Sequence, residues 1–569
     1  MATMVAQRPG AGLRPQRGCV DSPEVGDAST DTRAERGEPD ERDEARAIAG
    51  GVGSVLGARL ASALAALCAQ ILIARWLGPE GNGLLAAATS VLALGMLLAD
   101  LSLNVSVSRL LAVAYYGRPS AIPRVLRTGA LAKGTLTLGV GAALALGAGR
   151  IAEALHADAA LVPVLVLAAA QLVFDNAATF GFRALQGLHR PRLQALAQLT
   201  AGVGSPLLSL LLVALVLGQL PWRAGPRLAQ LLGGAFGAVG TGASATVAGR
   251  ALGAAAAAAV AWWLLVRIVG RAAAAPPAGE PRPVARRPLV EIVRFARNLV
   301  WVQLAYIVIF RMDIALVQFY LGERATGLYA IPSLVGERLM LPAVSLATVV
   351  APYFAALGDP QRQGLLARLL HRSVRALTLF YLPAAAGLAA IAPDAVRVVF
   401  GPAYDPAAPL VRAYAFVLPL LAYATLLGQL LDYAGLARAR AAAFVAAALL
   451  DLGCNALLIP RWGAVGAIVS LALSFTPLLV AYAVVLGRRV GVSRRAHARA
   501  IARTALASVL MGAGVWALRP DTPGGGGLAR LVALVLAGVV FYAVALRAVG
   551  GIEPGELGRL RALVRRPRR

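Results

Sequence analysis

The chain alternates between apolar runs of about 20 residues and short connectors rich in Gly, Pro and charged residues. Runs of that length are long enough to cross the hydrocarbon core of a membrane as helices. The pattern predicts about fourteen transmembrane helices, and therefore an all-α integral membrane protein. Their expected bounds are 52–74, 84–106, 126–148, 160–181, 194–217, 244–267, 297–320, 328–352, 370–391, 408–430, 440–459, 464–486, 500–518 and 527–548.

Composition supports a membrane protein and argues against a soluble one. Hydrophobic residues make up 59% of the chain and charged residues 15%, and the mean hydropathy is +0.70. A soluble protein of this size needs far more charged surface. Three Cys and four His are scattered along the sequence, and no phosphate loop or nucleophile–base pair stands out. We therefore expect no catalytic residues, no metal site and no cofactor.

The arginines predict how the helices are oriented. The formal net charge is +27, and the basic residues concentrate in alternate connectors, as in Arg118 and Arg124 before the third helix, whereas the next connector holds only Arg150. Basic connectors face the cytosol in membrane proteins. The pattern predicts cytosolic termini, and it attributes the positive charge to topology rather than to nucleic-acid binding.

Short segments recur in order along the chain. ILIARWLGPEGNGLLAAA (71–88) resembles ALVQFYLGERATGLYAIP (315–332) at an offset of 244, and ALQGLHRPR (184–192) resembles DYAGLARAR (432–440). FGAVGTGAS (236–244) resembles WGAVGAIVS (462–470) at a smaller offset, which places an insertion within 218–235. The matches indicate duplication of a six-helix unit. An even number of helices in each unit makes the two copies parallel. In the first repeated turn, Gly78 and Gly83 are explained by a tight reversal between two helices.

The repeat predicts the organisation of the whole chain. Two parallel six-helix lobes surround a central cavity, and two C-terminal helices lie outside the repeat. Residues 1–48 contain no apolar run and are expected to form a disordered cytosolic tail. The other expected parts are an N-lobe at 49–270, a Pro/Arg-rich cytosolic linker at 271–292, a C-lobe at 293–490, and the last two helices with a basic cytosolic tail at 491–569.

Several stretches resemble a transporter family. ARWLGPEGNGLLAAATSVLALGMLLADLSLNVSVSRLLA (74–112), RMDIALVQFYLGERATGLYA (311–330) and LLIPRWGAVGAIVSLALS (457–474) are similar to bacterial polysaccharide flippases of the multidrug/oligosaccharidyl-lipid/polysaccharide exporter superfamily. The resemblance implies alternating access, and transfer of a polyprenyl-pyrophosphate-linked glycan from the cytosolic to the outer leaflet for export of surface polysaccharide. It also implies a multi-pass protein of the bacterial cytoplasmic membrane. The partners would be the lipid-linked oligosaccharide, membrane lipids and a coupling ion, either proton or sodium.

Intramembrane polar residues are the candidates for substrate binding, because a charge in the membrane is costly and usually faces a cavity or a partner. Arg59 shares a helical stripe with Ser62 and Gln70 and matches Gln303 at the repeat offset. Arginine suits phosphate oxygens, although Arg59 could instead extend to the headgroups. The expected substrate-binding residues are Arg59, Arg311, Arg338 and Gln303.

The acidic residues are candidates for coupling or for structural charge pairs, namely Asp313, Glu337 and Asp100. Arg311 and Asp313 are two residues apart, so they cannot both face the cavity. Glu337 could couple transport to an ion or pair with Arg311. Asp100 begins a polar face in the second helix that continues through Asn104 and Ser108. Asp432 and Asp451 are expected to be structural, because each is placed close to a helix end.

Two other functions fit part of this pattern. A multidrug or cation antiporter of the same superfamily would share the fold but would favour acidic and aromatic residues in its cavity. A membrane polysaccharide polymerase or glycosyltransferase would need a large extramembrane loop or an interfacial carboxylate motif. The connectors here are short and contain no DxD pair, which disfavours an enzyme.

Overall fold

The computed structural model describes residues 41–218, 237–274, 288–356, 363–490, 494–519 and 527–551. Residues 1–40 of the expected tail, most of the expected insertion at 218–235, and the centre of the expected linker lie outside these ranges. The chain divides into two units, Met1–Gly53 and Ser54–Arg569. Apart from residues 41–53 at the start of the first helix, the features below belong to the second unit. Over the described ranges the secondary structure is helical, with no strand.

The first half of the described chain contains six long helices. A continuous helical stretch, Glu41–Asp100, is divided by non-helical backbone at Gly78 into α1 (41–77) and the first part of α2 (79–100). Helix α2 resumes at Leu103–Gly117. The others are α3 (Ile122–Leu146), α4 (Leu161–Gly187), α5 (Pro191–Val216) and α6 (Gly237–Ala274).

The second half repeats this order and adds two helices. Pro288–Leu339 is divided at Gly322 into α7 (288–321) and α8 (323–339), which continues as Leu341–Val350. The remaining helices are α9 (Gln363–Phe400), α10 (Ala408–Ala415 and Leu418–Tyr433), α11 (Ala437–Trp462), α12 (Ala464–Val490), α13 (Arg494–Ala517) and α14 (Gly527–Ala548). Helix α10 is bent between Ala408–Ala415 and Leu418–Tyr433.

These helices amount to about fourteen spans. Among the described residues, ten helices are long and apolar enough to cross a membrane, and the bent α10 brings the number to eleven. Two of these helices contain the breaks at Gly78 and Gly322 and therefore count as two spans each, namely Ser62–Gly117 and Leu304–Ala355. One further span is the shorter apolar helix Ile501–Ala517. The all-α, multi-span architecture predicted from the hydrophobic pattern is confirmed.

Gly78 and Gly322 reverse the chain at one end of the bundle. Their φ angles are 68° and 79°, in the left-handed region that glycine adopts without steric cost. After the reversal, Ala86 of α2 lines the same cavity as Gln70 of α1. Gly83 has a different role from the predicted one, because α2 already begins at Pro79 and Gly83 lies inside the helix. Proline is suited to a first helical turn, where no backbone donor is needed.

The two repeated turns pack directly against each other. A Cβ atom at Gly83 would lie 1.8 Å from the carbonyl oxygen of Glu323, and one at Gly327 would lie 1.8 Å from that of Pro79. The Asn82 carboxamide donates a hydrogen bond to the Gly327 carbonyl at 3.1 Å. Only glycine permits this approach, so Gly83 is required for contact between the lobes rather than for helix reversal. We call this contact the hairpin contact.

A break in α2 separates residues that the sequence placed on one polar face. Leu101 and Ser102 have left-handed φ angles of 40° and 64°, so Asp100 and Asn104 are not on one continuous helix. The Asp100 carboxylate accepts a hydrogen bond from the Asn104 backbone N–H at 3.4 Å and pairs with Lys133 of α3 at 2.5 Å. The carboxylate therefore holds the start of the resumed helix, and it has a structural partner.

Helices α13 and α14 pack against α9, outside the repeated lobes. Met511 and Val515 of α13 form a small core with Ala390 of α9. Arg519, just after α13, pairs with the buried carboxylate of Asp394 at 2.6 Å, and the Tyr542 hydroxyl of α14 donates to the Leu379 carbonyl at 3.1 Å. The two C-terminal helices are thus attached to the second lobe.

Replacing Gly83 by Ala is expected to separate the repeated turns, because the new Cβ would overlap a backbone carbonyl that no side-chain rotation can move. Glu80 and Arg324 form an ion pair across the contact at 3.1 Å, so cysteines at these two positions report it. In an otherwise cysteine-free protein, the Glu80→Cys/Arg324→Cys pair should form a disulfide readily, and Gly83→Ala should greatly slow its formation.

The matched control is Gly139→Ala in α3, where a Cβ would meet nothing within 4 Å. It should leave cross-linking unchanged and, as a Gly-to-Ala change in an exposed helix, stabilise that helix by roughly 1 kcal/mol. Equal cross-linking rates for Gly83→Ala and the parent would mean that the two turns do not depend on this contact.

Candidate substrate cavity

A cavity lies between the two lobes and consists of three adjoining spaces. The N-lobe pocket, about 600 Å³, is lined mainly by α1, α4, α5 and α6. The junction pocket, about 130 Å³, lies between α1, α2, α7 and α8, and the α2–α7 pocket has a volume of about 490 Å³. Arg250, Arg338 and Gln70 line both of the first two, and Arg311 and Thr89 line both of the last two.

The structure brings several of the predicted residues to this cavity. Arg311, Arg338 and Glu337 line the junction pocket, and Asp100 lines the α2–α7 pocket. The side chains of Arg59 and Gln303 lie outside the described residues. The two described members of the predicted α1 stripe, Ser62 and Gln70, both line the N-lobe pocket, so this face of α1 is a cavity wall.

Arg311 and Asp313 point in different directions, as their spacing predicted. Arg311 of α7 lines the cavity and pairs with Glu337 of α8 at 2.9 Å. Asp313 is only 6% exposed, and its carboxylate accepts hydrogen bonds from the Tyr329 hydroxyl at 2.6 Å and the Ile314 backbone N–H at 2.7 Å. Arg311 is therefore the member of the pair available to a substrate, and Asp313 belongs to the interior of the second lobe.

Arg338 is the cavity arginine without a counterion among the described residues. Its Nε atom is buried and has no hydrogen-bond partner, although the side chain lines both the N-lobe and the junction pockets. Arg311 is paired with Glu337, and Arg250 interacts electrostatically with Asp175. Among the described residues, Arg338 therefore has no ion-pair partner at the border between the two pockets.

Arg250 and Asp175 are cavity residues that the sequence did not single out. The Arg250 guanidinium donates to the Gln70 carboxamide oxygen at 3.1 Å, and the Gln171 carboxamide donates to Asp175 at 3.0 Å. Both charges were visible as intramembrane residues, but 75 positions separate them in the sequence. The one local signal was Gln70 in the predicted α1 stripe, which is the residue that Arg250 contacts.

A second polar cluster lies inside the C-lobe around Asp451. Its carboxylate accepts hydrogen bonds from Asn455 at 2.9 Å, Ser470 at 3.1 Å and Ser474 at 3.2 Å. Asp313 is close enough to interact with it electrostatically. The expectation that Asp451 lies near a helix end is wrong, because α11 continues to Trp462. Asp451 is 1% exposed and sits in the middle of the helix.

The remaining predicted charge, Asp432, does lie in the last turn of its helix segment, which ends at Tyr433. It forms an ion pair with Arg440 of α11, which fits the structural role expected for it. Within the described ranges, no group of three or more His, Cys, Asp and Glu side chains is arranged to hold a metal ion.

The sequence matches two protein families. Residues 48–357 match the family described as polysaccharide biosynthesis protein, and residues 338–535 match the lipid II flippase MurJ family. The first match covers more than half of the chain. No curated protein shows a significant sequence match.

Solved structures with the same fold are only distantly similar in sequence. A lipid II flippase MurJ in an inward closed conformation superposes with a TM-score of 0.66 at 11% identity, covering 87% of this chain and 99% of that one. An inward-facing multidrug resistance MATE family transporter of the MOP superfamily gives 0.56 at 15% identity, covering 76% and 94%. The superpositions establish a shared fold, and at identities this low they establish the fold alone.

The second family and both structural neighbours are described as flippases or transporters. The many apolar helices make this a multi-pass membrane protein. The chain shares its fold with these flippase and transporter structures, and it belongs to the polysaccharide biosynthesis protein family.

Proposed function

We propose that this protein moves a lipid-linked oligosaccharide, a glycan joined to a polyprenyl chain through a diphosphate, from the cytosolic to the outer leaflet by alternating access. The observation that carries the proposal is Arg338, an uncompensated arginine at the centre of a cavity between two lobes. A buried donor such as the Arg338 Nε–H group is costly to leave without an acceptor. An anionic ligand such as a diphosphate would supply the counterion.

Arginine is well suited to this ligand. Its planar guanidinium presents several N–H donors in a fixed fork that matches phosphate oxygens. Arg311 lines the same junction pocket, and its partner Glu337 immediately precedes Arg338 in the sequence. A bound diphosphate would compete with Glu337 for Arg311. When no ligand is bound, Glu337 therefore neutralises part of the positive charge of the site that the two arginines form.

Arg59 and Gln303 extend this proposal along α1 and α7. Arg59 precedes Ser62 by three residues, a spacing that places them on the same helix face, and Ser62 lines the N-lobe pocket. Arg59 would add positive charge to the same cavity wall. Gln303 occupies the equivalent position of the second repeat and would offer a neutral carboxamide there.

The proposed motion follows from the repeat. The N-lobe (49–270) and the C-lobe (293–490) would rock against each other, joined by the linker at 271–292, and the hairpin contact would form and break at one end of the cavity. The arginine-rich connectors support cytosolic termini. With that orientation, the repeated turns would face the outside of a bacterial cytoplasmic membrane.

Coupling to a cation is proposed for the cluster around Asp451. Asp313 and Asp451 interact inside the lobe, and the hydrogen bonds recorded to their side chains come from neutral donors such as Tyr329, Asn455 and Ser470. The Asn455 carboxamide oxygen is buried without a partner. Two buried carboxylates need a proton or a cation, and oxygen ligands of this kind suit hard cations such as sodium.

A multidrug or cation antiporter is the alternative function. Asp175 lines the N-lobe pocket and could attract a cationic compound, and a multidrug transporter shares the fold. Arg250 lies beside that carboxylate and offsets its charge, and Arg338 would repel a cation. The charges of the described cavity residues therefore favour an anionic substrate.

Replacing Arg338 by Ala is expected to slow translocation about 10- to 100-fold, because a hydrogen bond to a charged group contributes roughly 1.5–3 kcal/mol. The assay is a proteoliposome containing a fluorescent polyprenyl-diphosphate oligosaccharide, with translocation followed as the fraction exposed to an impermeant quencher. The matched control is Arg267→Ala, because Arg267 is exposed on α6 over the ring of Trp263. Equal rates in Arg338→Ala and the parent would contradict the proposal, and transport of an amphiphilic cation alone would favour the antiporter.

Replacing Glu337 by Gln is expected to strengthen binding of a soluble prenyl diphosphate severalfold, because it removes the carboxylate that competes for Arg311. Titration calorimetry on the purified protein would measure the affinity. The gain should disappear in Glu337→Gln/Arg311→Ala, since the two side chains then act through one interaction. If Glu337→Gln lowers only the unfolding temperature and leaves affinity unchanged, the pair is purely structural.

Replacing Asp451 by Asn is expected to abolish acceleration of translocation by an imposed sodium or proton gradient while leaving prenyl diphosphate binding intact. The physical reason is loss of one of the two negative charges that would hold the cation. Asp158→Asn is the control, because that exposed residue donates to the Glu323 carboxylate through its backbone N–H, which the substitution keeps. A gradient response that survives in Asp451→Asn would exclude this cluster as the coupling site.

A further inference from the structure

The walls of the N-lobe pocket carry an unusual set of neutral polar groups. Three helices contribute one glutamine each: Gln70 from α1, Gln171 from α4 and Gln198 from α5. Ser62, Ser205 and Ser209 add three hydroxyls, and alanine is the commonest of the remaining lining residues. Polar side chains in membrane helices need hydrogen-bond partners, so three carboxamides converging on one pocket call for an explanation.

Two of these carboxamides have acceptors without partners among the described residues. The Oε1 atoms of Gln171 and Gln198 are buried and receive no hydrogen bond. The Gln171 amide group is used, because it donates to Asp175. An unsatisfied buried acceptor destabilises the protein unless a ligand or water donates to it. Gln171 and Gln198 are therefore positioned to accept hydrogen bonds from hydroxyl groups.

The charges inside the pocket offset each other. Arg250 and Asp175 interact electrostatically, and Arg250 is further held by the carboxamide oxygen of Gln70 at 3.1 Å. Arg338 lies where the N-lobe pocket meets the junction pocket. A ligand inside the N-lobe pocket thus meets carboxamides, hydroxyls and two opposite charges that interact with each other. Neutral molecules bearing hydroxyls, which both donate and accept, fit this lining.

The position of the pocket fits the order of groups in the proposed substrate. In a polyprenyl-diphosphate glycan, the first sugar is bonded directly to the diphosphate. We infer that the N-lobe pocket binds the uncharged sugar next to the diphosphate, while Arg338 holds the diphosphate at the pocket border. This inference rests on the proposed function and assigns recognition of the glycan to the N-lobe. The volume of the N-lobe pocket, about 600 Å³, is within the usual range of ligand pockets.

The test compares three soluble probes on the purified full chain by titration calorimetry: a short-chain prenyl diphosphate, the same compound bearing glucose, and the same compound bearing glucuronate. The parent should bind the glucose derivative about tenfold more tightly than prenyl diphosphate, as expected for one or two additional neutral hydrogen bonds. The glucuronate derivative should bind no more tightly than the glucose derivative, because Arg250 already interacts with Gln70 and Asp175 and a carboxylate gains no unengaged cation inside the pocket.

Gln198→Leu should make the affinities for the glucose derivative and for prenyl diphosphate about equal, and it should leave prenyl diphosphate binding unchanged. Retained prenyl diphosphate binding in the same sample shows that the variant is folded. Gln198→Asn keeps the carboxamide on a shorter side chain and tests whether its position matters. Gln194→Leu, one turn earlier on α5 and outside the lining, is the matched control and should preserve the tenfold advantage.

The possible outcomes separate this inference from the proposed function. Equal binding of prenyl diphosphate with and without glucose, combined with loss of both in Arg338→Ala, would overturn the sugar pocket and retain the flippase. Equal weakening of all probes by Gln198→Leu would also overturn it, as would tightest binding of the glucuronate derivative. Failure of the parent to bind any diphosphate probe would overturn the proposed function itself.

Discussion

The absence of water in the hydrocarbon core governs which charges this protein keeps and where it keeps them. A charge inside a membrane protein needs a partner or a cavity, and most of the buried charges described here have one. Arg311 pairs with Glu337, and Arg250 lies beside Asp175. Because the charges in these pairs offset each other, Arg338 is the cavity arginine left without a charged partner among the described residues.

The same constraint links the cavity with the interior of the C-lobe. Helix α7 carries Arg311 on its cavity face and Asp313 on its inner face, two residues apart. Asp313 belongs with Asp451 to a cluster of two buried carboxyl groups and neutral hydrogen-bond donors. A rotation of α7 would move both side chains together. A rearrangement of α7 therefore changes the cavity and the C-lobe cluster together.

Local pattern was sufficient to predict the helices and the duplication, because hydrophobic run length and short repeats are properties of neighbouring residues. It also predicted that Arg311 and Asp313 face apart, since helical geometry fixes that angle. It failed wherever a distant partner decides the role. Gly83 needs Glu323 to explain it, and the central place of Asp451 depends on how far α11 extends.

The hairpin contact has the form of an interface between two copies of one protein. In a two-fold symmetric dimer, residue i of one copy touches residue j of the other, and the reverse contact is made as well. Here Gly83 meets Glu323 and Gly327 meets Pro79, with 244 positions separating each equivalent pair. A substitution in a symmetric dimer would alter both contacts at once. Fusion into one chain lets each contact change alone, so Pro79 and Glu323 were free to become different residues while both glycines had to stay.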